Sequence, residues 1–475
     1  MTTSIQIIQS IDRLSEIWEY KTPVGDLPLW LLMRWDFAKC LGDRIYKTTF
    51  FGAQTQVKRR QILHRLVNKF RTNLFDLKAR AQSMTLRDCD WMFFASASFH
   101  RTIGGVVVGT LVDPLAEMCG NSTVVIEPQA GLLGPRSFAR TYPIEGFEAL
   151  AAASGFSAKE LQELDDDIDQ LFKLLHPFAI DIFSDADRNK LRQGCIREAK
   201  RAMSLYRYFD KRFVKLRPKA IFVEDGHYGS WSGLIAAAHD RGILVVEPQH
   251  GMIVGGHEAY NYARQVHEHV AFQRSMPNVL LTFGAYWESQ LSTSARVVNI
   301  GNAIYSQQIE EVRGIKLNQN RIRVLVISSM ICEDGYHKVL KELENLPNDF
   351  EVLYRPHPKE RSIILERYEG YFRQSNSRIR LDSESNLYRS LAEARIVLGD
   401  ISTCLFETYG FEGQEVFYID HEETRRLLGS DLRFFKNVED ITNLELQDRD
   451  EVVVHENPYF SLDWEERFRV FLGSV

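Results

Sequence analysis

From Asp90 to Ile419 short apolar runs alternate with longer helical stretches, and this alternation constrains the fold more than any other feature of the chain. Trp91 to Ala95, Val124 to Ile126, Ala220 to Glu224, Ile243 to Glu247, Val279 to Phe283 and Val297 to Ile300 read as strands. Helical patterns over 158–175, 186–214, 229–241 and 285–293 separate them. After a connection from Asn302 to Asn320 a second series follows, with strands at Val324 to Ile327, Phe350 to Leu353, Ile379 to Leu381, Ile396 to Leu398 and Val416 to Ile419. Its helices are expected at 334–345, 361–373, 386–394 and 403–410. Strands that alternate with helices form parallel sheets covered on both faces. The fold class is therefore α/β: two doubly wound domains facing a central cleft.

At 475 residues the chain exceeds what one core usually supports, which agrees with two domains. The expected layout is an N-terminal helical region over 1–89 packed on the first domain, a first domain over 90–303, a second over 304–455, and a C-terminal helix within 456–475 that crosses back. A composition of 44% hydrophobic and 26% charged residues is that of a soluble globular protein, and a formal net charge of -6 gives no pull toward nucleic acid. From Lys47 to Arg80, however, nine Lys or Arg residues face one acid, Asp76. Within this segment residues 57–75 form an amphipathic basic helix, either attached to an anionic membrane surface or serving as a core helix with a solvated face. The six cysteines are scattered with no CxxC pair, and neither a signal-peptide pattern nor a run of about 18 apolar residues occurs. A cytoplasmic location is expected, peripheral on the inner face of the cell membrane if the basic helix binds lipid.

In open parallel sheets ligands bind beyond the carboxyl ends of the strands. That rule selects Ser96, Glu127, Glu224-Asp225-Gly226-His227, Glu247 to Gly251, Ser328-Ser329, Arg355 to Pro358 and Gly399 to Thr403. His357 stands between two prolines whose φ is fixed near about −65°, and Arg355 brings a planar fork suited to phosphate. Ser402 and Thr403 open a helix with Glu407 inside it, which makes them either a phosphate cradle or a plain cap. Ser328 and Ser329 carry the same alternatives. Glu224 and Asp225 read as a base for a sugar hydroxyl or as loop acids before a helix, and His250 as a second base or a buried structural histidine. His257, His267 and His269 lack metal-ligand spacing, and four Asp-x-Asp pairs in an acid-rich chain are too cheap a pattern to imply a metal. Neither G-x-G-x-x-G after the first strand nor a P-loop is present, which removes the main support for hydride transfer and ATP hydrolysis.

The set Glu224-Asp225-Gly226, Gln249-His250-Gly251, Arg355-Pro356-His357-Pro358 and Asp400-Ile401-Ser402-Thr403 resembles the motifs of bacterial capsule and surface polysaccharide glycosyltransferases of the GT-B fold. The acidic-acidic-glycine and His-Pro elements are similar to those of polysialyltransferases, and His250-Gly251, Arg355 to Pro358 and Asp400-Ile401-Ser402-Thr403 to those of CDP-glycerol polymerases, although Thr403 stands where the latter carry a second serine and they lack the Gln249 context. The resemblance implies two Rossmann-like domains and a metal-independent, inverting transfer from a nucleotide-sugar, such as a CMP-linked acidic sugar, to a glycan or lipid-linked acceptor. No cofactor is implied, because the nucleotide-sugar is substrate. It further implies that Glu224, Asp225 or His250 activates the acceptor hydroxyl. His357 would contact the donor phosphate and act as acid toward the departing nucleotide, Ser402 and Thr403 would complete the phosphate cradle, and Glu407 would hold the ribose; Ser328, Ser329 and Arg355 are the further donor-binding candidates. The alternatives are a CDP-polyol phosphate transferase on the same fold, a non-hydrolysing sugar-nucleotide epimerase, and a non-catalytic scaffold of a polysaccharide assembly complex.

Overall fold

The computed structural model describes residues 3–46, 77–103, 105–128, 134–179, 182–317, 321–358, 360, 361, 364, 368–372, 378–446 and 449–475. The basic stretch 57–75 lies outside the described residues, and of the helix expected at 361–373 residues 369–372 are described as helical.

Strands β1 (Trp91–Phe94), β2 (His100–Ile103), β3 (Val106–Gly109), β4 (Thr123–Glu127), β5 (Thr141–Pro143), β6 (Ala220–Val223), β7 (Leu244–Pro248), β8 (Val279–Thr282) and β9 (Arg296–Asn299) belong to the first half. Seven of them form a parallel sheet in the order β5-β4-β1-β6-β7-β8-β9, and β2 and β3 pair as a separate antiparallel hairpin. In the second half β10 (Ile322–Ile327), β11 (Phe350–Arg355), β12 (Ile379–Leu381), β13 (Ile396–Gly399), β14 (Glu415–Ile419) and β15 (Phe434–Phe435) form a second parallel sheet, ordered β12-β11-β10-β13-β14-β15. Both sheets begin in the middle and grow outward in both directions, the doubly wound arrangement with two Rossmann-like halves. Strands β1, β6 and β13 are buried at every residue, because helices cover both faces of a parallel sheet.

Register then sets chemistry. Phe94 pairs with Val223 and Phe222 with Val246, so the residues after β1, β6 and β7 emerge along one edge. Ile327 pairs with both Arg355 and Gly399, so Ser328, Pro356 and Asp400 emerge side by side at the corresponding edge of the second sheet.

The long helix Asp185–Leu216 starts with a capping box, Ser184 with Asp187, and stops at Arg217 in the left-handed region. Helix Ser232–His239 approaches it closely, since a Cβ at Gly233 would meet the Ala202 carbonyl oxygen at 2.0 Å. On the same helix rests an N-terminal layer made of Ser4–Asp12, a 3-10 turn at Ser15–Trp18, and helix Leu29–Tyr46. A buried ion pair pins this layer: Arg34 Nη2 reaches Asp12 Oδ2 at 2.8 Å and donates to the Asn261 carbonyl at 3.1 Å, while Trp30 Nε1 donates to Asp12 Oδ1 at 2.8 Å. Between the halves, Arg426 of helix Glu422–Leu428 pairs with Glu423 at 2.6 Å and with Glu258 at 3.0 Å, all three side chains being buried. The C-terminal helix Trp464–Gly473 returns to the first sheet and buries Phe468 and Phe471 near Phe93 and Phe222.

Several local expectations change. The helix at 285–293 ends at Glu288, and the connection 302–320 contains helix Ala303–Val312, capped by Asn302. The β2–β3 hairpin and edge strands β5 and β15 are not among the expected strands; each strand is only two to four residues long.

Candidate functional site

At the first edge, β6 delivers Glu224 and Asp225. Glu224 is 2% exposed, and the Ser96 N–H donates to its Oε2 at 2.5 Å, while its buried Oε1 has no partner. Burial pushes its carboxyl up to about 8, with the neighbouring acids Asp225 and Glu127 adding to the shift. At neutral pH Glu224 is therefore mostly protonated. Asp225 sits in the left-handed region with φ of 60°, which turns its side chain toward His250: Oδ1 lies 3.1 Å from Nε2. Burial raises the Asp225 carboxyl and the positive potential of His250 lowers it, leaving it above the usual aspartate value.

Around His250 stand groups that the sequence did not single out. Tyr228 Oη lies 3.5 Å from His250 Nε2 and 3.2 Å from His257 Nε2, and Tyr260 Oη lies 3.4 Å from His250 Nδ1. Tyr260 donates to Glu247 Oε1 at 2.7 Å. The other Glu247 oxygen accepts the His227 N–H at 2.9 Å and contacts the His227 ring, whose Nε2 meets Thr293 Oγ1 at 2.8 Å. Gly226 is required here, because a Cβ would lie 2.9 Å from Glu247 Oε2 and 2.7 Å from Pro277. Trp35 stacks on His257 at 5.3 Å with an interplanar angle of 10°. Burial pushes His257 down to about 3, so its ring is neutral.

Asp225 and His250 open onto a cavity of about 470 Å³, walled by Trp35 and Lys39 of the N-terminal layer, Ser96, Phe99, Arg197 and Tyr228. Gly251 adds no bulk beside it, with open space where a Cβ would be. By contrast Gln249 is a backbone clamp: it accepts the Phe283 N–H at 2.8 Å and donates to the Gly251 carbonyl at 2.7 Å. Glu127 is also committed, since Arg136 bridges it to Asp113 at 2.6 and 2.8 Å and His100 Nε2 lies 3.0 Å away.

The second edge is tied together internally. Asp400 is fully buried and gathers Ser329 Oγ at 2.6 Å, Tyr336 Oη at 2.5 Å and the Cys332 N–H at 3.3 Å. Ser328 Oγ and Ser329 Oγ accept the N–H groups of Met330 and Ile331, which shapes the loop after β10. Arg355, expected to bring a fork to the donor phosphate, has protein partners on both terminal nitrogens. Its Nη1 contacts Asp382 Oδ2 at 2.5 Å, the Glu384 carbonyl at 2.9 Å and Ser390 Oγ at 3.1 Å, and its Nη2 donates to the Ser385 carbonyl at 3.3 Å. A guanidinium carried inward at the end of β11 finds its hydrogen-bond partners on the neighbouring loop. Ser402 Oγ accepts the Cys404 N–H at 3.3 Å and caps the short helix Thr403–Thr408. Glu407 is 9% exposed with Oε2 unpartnered, and burial pushes its carboxyl up to about 7. His357 is half-buried, and its N–H donates to Glu360 Oε2 at 3.3 Å. The structure thus brings Asp225 and His250 into one cavity with Glu224 behind Ser96, and aligns His357 with Ser328, Ser329, Ser402 and Thr403 along the other edge. None of the second-edge residues lines the cavity.

No protein-family model and no curated sequence matches the chain. Among solved structures it is similar to a UDP-GlcNAc 2-epimerase from Methanocaldococcus jannaschii, with a TM-score of 0.46 and 9% identity over 81% of this chain and 99% of that one. It is also similar to a UDP-GlcNAc 2-epimerase from Neisseria meningitidis bound to UDP-GlcNAc (TM-score 0.43, 11% identity, 81% and 99% covered). The glycosyltransferase SnogD from Streptomyces nogalater gives a TM-score of 0.38 and 11% identity over 75% of this chain and 88% of that one. All three scores fall below 0.5, and the chemistry of this chain rests on its own side chains.

Proposed function

We propose that this chain is a glycosyltransferase that moves a sugar from a nucleotide-activated donor to a hydroxyl of a glycan acceptor. The observation that carries this reading is the Asp225–His250 pair, 3.1 Å apart at the ends of adjacent strands and open to a cavity of about 470 Å³. A carboxylate and an imidazole in hydrogen-bond contact in a half-dry pocket supply the base that an acceptor hydroxyl needs. Glu224, mostly protonated at pH 7, serves less well as that base and better as a neutral group behind Ser96. The acceptor then occupies the cavity and presents its hydroxyl to the pair. On the second edge His357 faces the donor phosphate, and Glu407 holds the donor's ribose. Inversion follows from one displacement: the acceptor oxygen bonds to the anomeric carbon, the bond to the phosphate oxygen breaks, and the hydroxyl proton goes to the pair.

In this reading the acceptor is a capsule, lipopolysaccharide or other surface glycan, and the donor is a CMP-linked acidic sugar. Incubation with CMP-, CDP- and UDP-linked donors, with and without oligosaccharide acceptor, tests it through nucleotide release. Acceptor-dependent release from one donor is expected, and product formed from a donor alone would point instead to an epimerase. His357→Ala is expected to abolish transfer with an unchanged melting temperature. Wild-type turnover in that variant would remove His357 from the donor site.

A further inference from the structure

His250 touches two phenols through different nitrogens, and the hydrogen-bond direction of each phenol is set by what lies behind it. Burial holds the Tyr260 and Tyr228 hydroxyls far above their ordinary titration range, so both stay protonated. Tyr260 has one proton and commits it to Glu247 Oε1 at 2.7 Å. Glu247 cannot return a hydrogen from its other oxygen, which already receives the His227 N–H. Tyr260 Oη is therefore an acceptor toward His250, and Nδ1 of His250 carries the hydrogen. On the other side, His257 Nδ1 accepts the Ala259 N–H at 3.3 Å, so the neutral ring bears its hydrogen on Nε2 and donates it to Tyr228 Oη. The Tyr228 proton then points away from His257, on the side of His250 Nε2 at 3.5 Å and of the cavity.

Both chains of bonds ask for the same tautomer. We propose that Glu247 through Tyr260, and His257 through Tyr228, are positioning residues that hold a hydrogen of His250 on Nδ1, so that Nε2 is the nitrogen that gains and loses a proton beside Asp225. Asp225 Oδ1, 3.1 Å from Nε2, then shares a single proton with the ring. When that proton leaves, the Nε2 lone pair accepts the Tyr228 hydroxyl hydrogen in its place. This inference deepens the transferase reading by naming the residues that prepare its base, and it rests on that reading only for the reaction itself.

The test uses the full-length chain labelled with 15N-histidine, with the His250 signals assigned by their loss in His250→Ala. The wild type is expected to show protonated Nδ1 and unprotonated Nε2 at His250 at a pH where the ring is neutral. In Tyr260→Phe, which keeps the ring and its packing, the hydrogen is expected to move to Nε2, where Asp225 accepts it. Hydrogen on Nε2 in the wild type, or an unchanged tautomer in Tyr260→Phe, would overturn the proposal. On turnover, Tyr260→Phe is expected to lower kcat roughly 10-fold or more and to displace its pH profile with little change in acceptor KM. A rise in KM alone, with an unmoved pH profile, would reduce Tyr260 to a packing residue. The ring nitrogens are read without substrate. Failure of the transferase reading would thus appear as a wild-type chain without turnover, and failure of this inference as the wrong tautomer.

Discussion

The two sheet edges carry similar inventories of acids, histidines and hydroxyls, yet the fold uses them differently. At the second edge Asp400 binds Ser329, Tyr336 and the Cys332 N–H, and Arg355 spends its fork on Asp382, Ser390 and two carbonyls. At the first edge Glu224 keeps a buried oxygen without a partner, and Asp225 and His250 meet each other in front of a cavity. A polar group whose partners are all protein stabilises a loop, whereas one left unmatched or facing space is available to a ligand. Charge at a strand end is thus a weak signal until its partners are known.

The largest expected effect falls on the first edge. Asp225→Asn and His250→Ala should each lower kcat by about 10²- to 10⁴-fold with little change in melting temperature, because both side chains face the cavity rather than the core. Steady-state kinetics with melting curves checks this, and equal losses in activity and stability would erase the contrast between the edges.

Arg355→Ala should do the reverse. Removing a guanidinium that is 11% exposed leaves Asp382, 3% exposed, without its cation, at a cost of about 3 kcal/mol in unfolding free energy. Denaturant titration measures it. A variant of unchanged stability that fails to bind nucleotide would restore Arg355 to the donor site.

Glu224 gives a pH signature. Its folded carboxyl titrates at about 8, above the ordinary glutamate value of 4.5, so the folded state holds the proton more tightly than the unfolded chain. The contribution is therefore full below about pH 4.5 and is lost as pH rises toward 8. Glu224→Gln mimics the protonated form and should gain stability relative to wild type across that window. A stability difference that stays flat with pH would mean that Glu224 is ionised in the fold.

The smallest effect is expected at Ser402. As the cap of helix Thr403–Thr408 it should cost about 1 kcal/mol when changed to Ala. Nucleotide affinity measured by calorimetry separates this from a phosphate-cradle role, in which binding would fall along with stability.

Much of the frame was legible in the sequence. Runs such as Trp91-Met92-Phe93-Phe94 and Ile396-Val397-Leu398 read as strands covered on both faces, and their alternation with helices pointed to parallel sheets. Once the sheets are parallel, Ser96, Asp225, His250, Ser328, His357 and Ser402 must lie near carboxyl edges. The rest of the site was not legible. Trp35 and Lys39 reach the cavity from a helix packed on the first sheet's long helix, and nothing in their spacing connects them to Asp225. Tyr260 lies ten positions beyond His250 in an irregular segment, and its link to Glu247 exists only because that segment folds back over β7.

By itself the sequence determined the period of the apolar pattern, the two-sheet architecture and the list of residues that reach the strand ends, because these depend on local alternation and on the handedness of strand–helix–strand units. Tertiary structure alone decided which of those residues are spent and which are free to act. Hydrogen-bond partners such as Asp382 for Arg355, or Tyr260 for His250, come from distant parts of the chain, and a side chain's chemistry is set by what it touches and by how far water is kept away.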